Sequence, residues 1–201
     1  MKGLFLLVSL STYFRPCEMF SLKKKSLVRP ALGVMSCWSV IAMGSDEKRV
    51  SKTGDQDLGV MLDSKWLRWV TGPLESLKQG NPEDPLWTFT YAEYLVEFKA
   101  CARLINDEQL SPYHARHSGA SADRADGSRS LGEIMKRGFW RAKSSVARYE
   151  KSAKLAQALD RYDWEIVEYM KRCESALEDT FLRARPVPAP PASVVRLGGM
   201  I

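Results

Sequence analysis

The sequence predicts an α+β fold, predominantly α, with one small antiparallel β-sheet, a long C-terminal helix and a disordered tail. Three observations predict it. Two capping-box pairs, Thr90 with Glu93 and Ser130 with Glu133, each stand just before apolar residues at helical spacing. Short, partly β-branched runs separated by turn-formers occupy residues 37–62. A stripe of apolar residues in steps of three and four runs from Leu155 to Phe181.

With 201 residues, 45% hydrophobic and 27% charged, the chain has the composition of an ordinary globular domain large enough to bury a core, with room for a tail. Cys17, Cys37, Cys101 and Cys173 form no CxxC pair. With only His114 and His117 to add, no zinc site is expected, and the thiols are expected to be reduced. The start, MKGLFLLVSL, resembles a weak signal peptide. Its apolar run from Leu4 to Leu10 is short and no A-x-A-like cleavage site follows, so a buried helix is expected and secretion is not. No run approaches the length of a membrane span.

Taken in order, residues 2–14 read as an apolar helix, and Pro16 suits the first turn of a second one carrying Met19, Phe20 and Leu22. Three strands are expected at Cys37–Met43, Val50–Lys52 and Leu58–Leu62, with Lys52 presented at the second turn. Asp63 or Ser64 can cap a helix with Leu67, Val70, Leu74 and Leu77, bent at Gly72-Pro73. The Thr90 box opens a helix whose apolar face is Leu95, Phe98, Ala102 and Ile105. Pro112 begins the helix that holds Arg116, and the Ser130 box opens one with Leu131, Ile134 and Met135. A basic helix then carries Tyr149, and a long amphipathic helix follows from Lys151 to Arg183, broken near 160–163. PVPAPPAS ends regular structure. The expected organisation is a domain over 1–155, a helical extension over 156–185 and a flexible Pro-rich tail over 186–201.

Charge is concentrated. Residues 129–154 hold eight Lys/Arg and two Asp/Glu, and without them the chain has 22 residues of each sign. All the net charge of +6 therefore lies in one window, where Lys136, Arg137, Arg141, Lys143 and Arg148 surround Trp140 and Tyr149, with His117 upstream. A solvated helix face is the plain reading of such a window, and a phosphodiester partner, double-stranded DNA, the sharper one.

Cleaving a DNA strand with tyrosine requires a phenol that loses its proton as it attacks, forked cations for the charge gathering on phosphorus oxygens, and an acid for the leaving 5′-oxygen. Residues of those types occur in an ordered series of segments. TYFRPCEMFSL, VSKTG, PYHARHSGAS, KRGFW and SSVARYEK resemble, in that order, the five catalytic boxes of the tyrosine recombinases of phage-integrase type, with a flavour of those from eukaryotic mobile elements. The resemblance spans roughly residues 4–155, and the interval of nine from Trp140 to Tyr149 matches the family's usual spacing. It implies a recombinase-type catalytic domain with Arg15 and Arg116 as the two arginines, Glu18 as the first arginine's structural neighbour, Lys52 as general acid, Trp140 as an indole donor to phosphate and Tyr149 as nucleophile. Tyr113 stands where the family's box has histidine. His117, Lys136, Arg137, Arg141, Lys143 and Arg148 are the expected DNA contacts.

The resemblance further implies site-specific recombination or integration without metal or cofactor, location in the nucleus or otherwise inside the cell with DNA, and a homo-oligomer on DNA through the C-terminal helix. The family's N-terminal DNA-clamping domain has no counterpart here, and the first helix reads as cut short. Two readings stay open: an active strand transferase, and a catalytically inactive DNA-binding remnant of a mobile-element recombinase.

Overall fold

A computed structural model describes residues 1–42, 58–150, 156–157 and 160–191. Among them the protein is mostly helical, with one three-stranded antiparallel sheet. The chain divides into two compact units, one formed by Met1–Tyr94 with Pro112–Lys151 and the other by Leu95–Ser111 with Ser152–Ile201.

In the first unit, helix α1 (Lys2–Thr12) buries Leu4, Phe5, Leu7 and Val8. It stops because Tyr13 turns into the left-handed region at φ 57° and donates its N–H to Ser9 O. Helix α2 (Pro16–Phe20) starts with proline in its first turn, where the missing N–H has no helical partner to lose. Arg15 caps it, donating its own N–H to Glu18 Oε2 at 2.6 Å.

The sheet orders β1 (Leu27–Val28), β2 (Ser39–Ala42) and β3 (Leu58–Met61), with Leu27 opposite Val40 and Ala42 opposite Leu58. The second and third strands lie within the expected runs. The strand expected at Val50–Lys52 lies outside the described residues, and β1 is a strand the sequence pattern did not reveal, since two residues are too few to establish alternation. Leu27, Val40, Ala42, Leu58 and Val60 are buried.

The segment expected as one bent helix is a 3-10 turn (Lys65–Val70) running into α3 (Thr71–Lys78), with Pro73 in the first turn of α3. Neither expected side chain caps it. Ser64 Oγ meets Ser11 Oγ at 3.0 Å, and Asp63 pairs with Arg129 and Arg137.

The Thr90–Glu93 box closes in both directions at the head of α4 (Tyr91–Leu104). Helix α5 (His114–Ala125) follows Pro112, and α6 (Leu131–Arg137) follows the Ser130–Glu133 box. Gly119 lets α5 lie against α1: a Cβ there would stand 2.0 Å from Leu10 O. Helix α7 (Lys143–Val146) leads into a 3-10 turn (Ala147–Glu150) that carries Tyr149, where the sequence suggested a basic helix. Tyr13, Ala120, Ile134, Val146 and Tyr149 form a shared core, flanked by Leu131, Met135 and Trp140.

In the second unit, residues 95–111 group with the C-terminal segment. Asp107 links the two segments: it is buried and accepts hydrogen bonds from Arg161 and from the Tyr162 hydroxyl. Helices α8 (Trp164–Ser175) and α9 (Leu177–Arg183) occupy the expected C-terminal helix, which is broken before Trp164, as expected, and again at Ala176. Ile166 and Tyr169 are buried, while Met170, Cys173, Leu177 and Phe181 are half-buried. Residues 184–191 have no regular structure. Among the described residues no helix is long and apolar enough to cross a membrane, and no group of three or more His, Cys, Asp or Glu could hold a metal ion.

Candidate active site

The turn between α1 and α2 places Arg15 beside the buried carboxylate of Glu18. Arg15 Nη1 donates to Glu18 Oε1 at 2.5 Å, and Arg116 Nη1, from the first turn of α5, lies 3.9 Å from Oε2. Two cations thus share one carboxylate. Burial works against the charge on Arg15, yet Glu18 and the Tyr113 hydroxyl outweigh it and hold that guanidinium above its ordinary value. Arg116 is pushed the other way by burial and by Arg15, with Glu18 opposing.

Arg116 is 1% exposed. Its Nη1 donates to Tyr13 O and its Nη2 to Gly138 O at 2.6 Å, while Nε is buried with no hydrogen-bond partner. Trp140 lies over this guanidinium, 4.4 Å from Cζ to the ring centroid. The indole folds so closely over Gly138 that a Cβ there would meet it at 2.0 Å. Trp140 therefore offers its ring to Arg116, 5.4 Å from the Tyr149 ring, where the sequence suggested an indole donor to phosphate.

Tyr149 is buried, and its hydroxyl lies 2.6 Å from His117 Nδ1. Burial raises the phenol, with Arg148 and Arg116 pulling it back. Burial lowers the imidazole, and Arg148, Arg116 and His114 lower it further. At neutral pH the pair is thus a protonated phenol facing an uncharged imidazole. Tyr113 is exposed, with its ring edge-on to His117 at 5.1 Å and its hydroxyl raising the Arg15 guanidinium.

Of the six expected catalytic residues, Arg15, Tyr113, Arg116, Trp140 and Tyr149 come together, and Lys52 lies outside the described residues. Among the expected DNA contacts, Lys136, Arg141, Lys143 and Arg148 are exposed. Arg137 is half-buried and engaged within the fold. Its Nε donates to Ser11 O and its Nη2 to Met61 O, both at 2.6 Å, and Nη1 reaches Asp63 at 3.1 Å. Three residues after Ile134, it shares that residue's inward face of α6, a distinction a charge count cannot make. His117, expected as a DNA contact, is half-buried and turned to Tyr149.

The sequence reading missed the network beneath the site. The Tyr13 hydroxyl donates to Asp123, which also accepts from Arg129 Nε at 2.8 Å, and Arg129 forks onto Asp63. Nothing in the polar run SADRADGSR marked Asp123 as buried. The contact between His117 and Tyr113 did carry a signal, since they are four residues apart and fall on one helical face.

No protein-family model matches the chain, and no curated protein and no solved structure matches it.

Proposed function

We propose that the chain cleaves and rejoins DNA strands through a 3′-phosphotyrosine at Tyr149, as a site-specific recombinase or integrase of the tyrosine type. The observation that carries this reading is the Tyr149 hydroxyl, hydrogen-bonded to an imidazole and clustered with two guanidinium groups from distant segments. In the proposed reaction Tyr149 attacks phosphorus, Arg15 and Arg116 stabilise the charge on the non-bridging oxygens, and Lys52 protonates the leaving 5′-oxygen. That chemistry asks for no metal or cofactor. The partner is double-stranded DNA, held by Lys136, Arg141, Lys143 and Arg148 in the nucleus or another DNA-containing compartment. A second copy docks through the half-buried stripe of Met170, Cys173, Leu177 and Phe181, and light scattering with and without DNA tests that part.

A duplex carrying a nick just downstream of the cleavage position, which traps the covalent intermediate, tests the reaction. Wild-type protein is expected to form a protein–DNA adduct, and Tyr149→Phe none at nearly unchanged DNA affinity, because the hydroxyl is the nucleophile while binding comes from the cations. An adduct that persists in Tyr149→Phe, or none with wild type on any nicked duplex, overturns this reading.

A specific observation favours a second reading, a DNA-holding remnant that no longer turns over. Arg116 and Tyr149 are both buried, and both terminal nitrogens of Arg116 are committed to main-chain carbonyls. Salt-sensitive DNA binding without an adduct is its signature.

A further inference from the structure

Strand transfer by Tyr149 needs a group to receive the phenolic proton, and the residue standing in the histidine position of the expected box is a tyrosine. We infer that His117 is that group: Nδ1 of its ring takes the proton from Tyr149 as the hydroxyl attacks, and returns it when the strand is rejoined. The inference rests on the strand-transfer reading and adds a catalytic residue to it.

Geometry selects His117. Its Nδ1 is 2.6 Å from the Tyr149 hydroxyl oxygen, within direct transfer distance. Two other side chains in the cluster could be considered as acceptors. Glu18 already accepts from the N–H and the guanidinium of Arg15. Tyr113 is itself a phenol, a poor base at neutral pH. Its ring meets the imidazole edge-on at 5.1 Å and so limits the imidazole's rotation. A tyrosine at 113 thus orients the imidazole one helical turn further on.

The titratable and charged groups facing His117 are Arg116, His114 and Tyr113 from α5 and the residue before it, and Arg148 and Tyr149 from the 3-10 turn. Burial and the neighbouring cations keep the ring uncharged near neutral pH, as an acceptor must be. The same cations make the imidazolium a ready donor for the return step. The step balances: the phenolic O–H breaks as its proton goes to Nδ1, the oxygen bonds to phosphorus, the bond from phosphorus to the 5′-oxygen breaks, and that oxygen receives its proton from the separate acid assigned above to Lys52.

The test measures single-turnover adduct formation on the nicked duplex from pH 5 to 9. The wild-type rate is expected to rise with pH and level off below about pH 6.5, the ordinary value for histidine, since the ring's own value is lowered. His117→Gln, which keeps a hydrogen-bonding side chain but cannot carry a proton, is expected to be slower at pH 7 by about 10²-fold at unchanged DNA affinity, with a rate still climbing to pH 9. A wild-type rate and plateau in His117→Gln overturn the inference and leave the strand-transfer reading intact. Absence of any wild-type adduct overturns that reading, and imidazole ¹⁵N spectra then decide the proton relay separately. An unprotonated Nδ1 whose hydrogen-bonded shift is lost in Tyr149→Phe supports His117 as acceptor, and a protonated Nδ1 at neutral pH overturns it.

Discussion

The guanidinium of Arg116 donates to the main-chain carbonyl of Tyr13, 103 residues earlier in the chain. Tyr13 ends α1 in the left-handed region, which turns its peptide away from the helix ladder. Arg116 bridges that turn to the one at Gly138, so the two turns that flank the candidate site are held by a single side chain.

Arg116→Ala is therefore expected to lower stability by about 3–5 kcal/mol, because it leaves two buried carbonyls without this donor and takes from Glu18 one of its two cations. Arg116→Lys is expected to recover only part, since one ammonium does not reproduce a planar fork. Urea midpoints measure both. A loss under about 1 kcal/mol would show that the bridge is not structural.

Gly119→Ala is expected to cost about 1–3 kcal/mol, since the new methyl meets a backbone oxygen that a rotamer change cannot move. Gly127→Ala, at an open position of φ 72°, costs only its backbone strain and serves as the comparison. Thermal melts of the two variants check the difference.

The Asp63 carboxyl sits below its ordinary range: burial works against that, but Arg129 and Arg137 prevail. A depressed folded-state value contributes stability that is present above the unfolded value of about 3.9 and is lost as pH falls through the folded value. Asp63→Asn is expected to lower the urea midpoint at pH 7, with the gap to wild type narrowing below about pH 4. A gap that stays constant from pH 7 to pH 3 would exclude this linkage.

Replacing Lys136, Lys143 and Arg148 together by alanine is expected to reduce the slope of log affinity for duplex DNA against log salt by about 2–3. Arg137→Ala is expected to leave the slope unchanged and to lower stability, because its cation is spent on Ser11, Met61 and Asp63. Fluorescence anisotropy at several salt concentrations separates the two cases.

The sequence by itself determined what depends on neighbours within about four residues. Both capping boxes, the proline starts of α2 and α5, the β2 and β3 runs and the break before Trp164 are contacts or constraints of that range, so residue type and spacing are enough. Tertiary structure alone decided which cations face water. Lys136 and Arg137 are adjacent and equal in charge, yet one is exposed and the other is half-buried and bonded to α1 and the sheet, since burial depends on what packs over each face. It also decided the partner of Tyr149: Tyr113 and His117 lie one helical turn apart, and the path of the chain from Trp140 through α7 brings the phenol to His117. Such pairings join segments 32 to 103 residues apart, where the hydrogen bond depends on packing that no local spacing encodes.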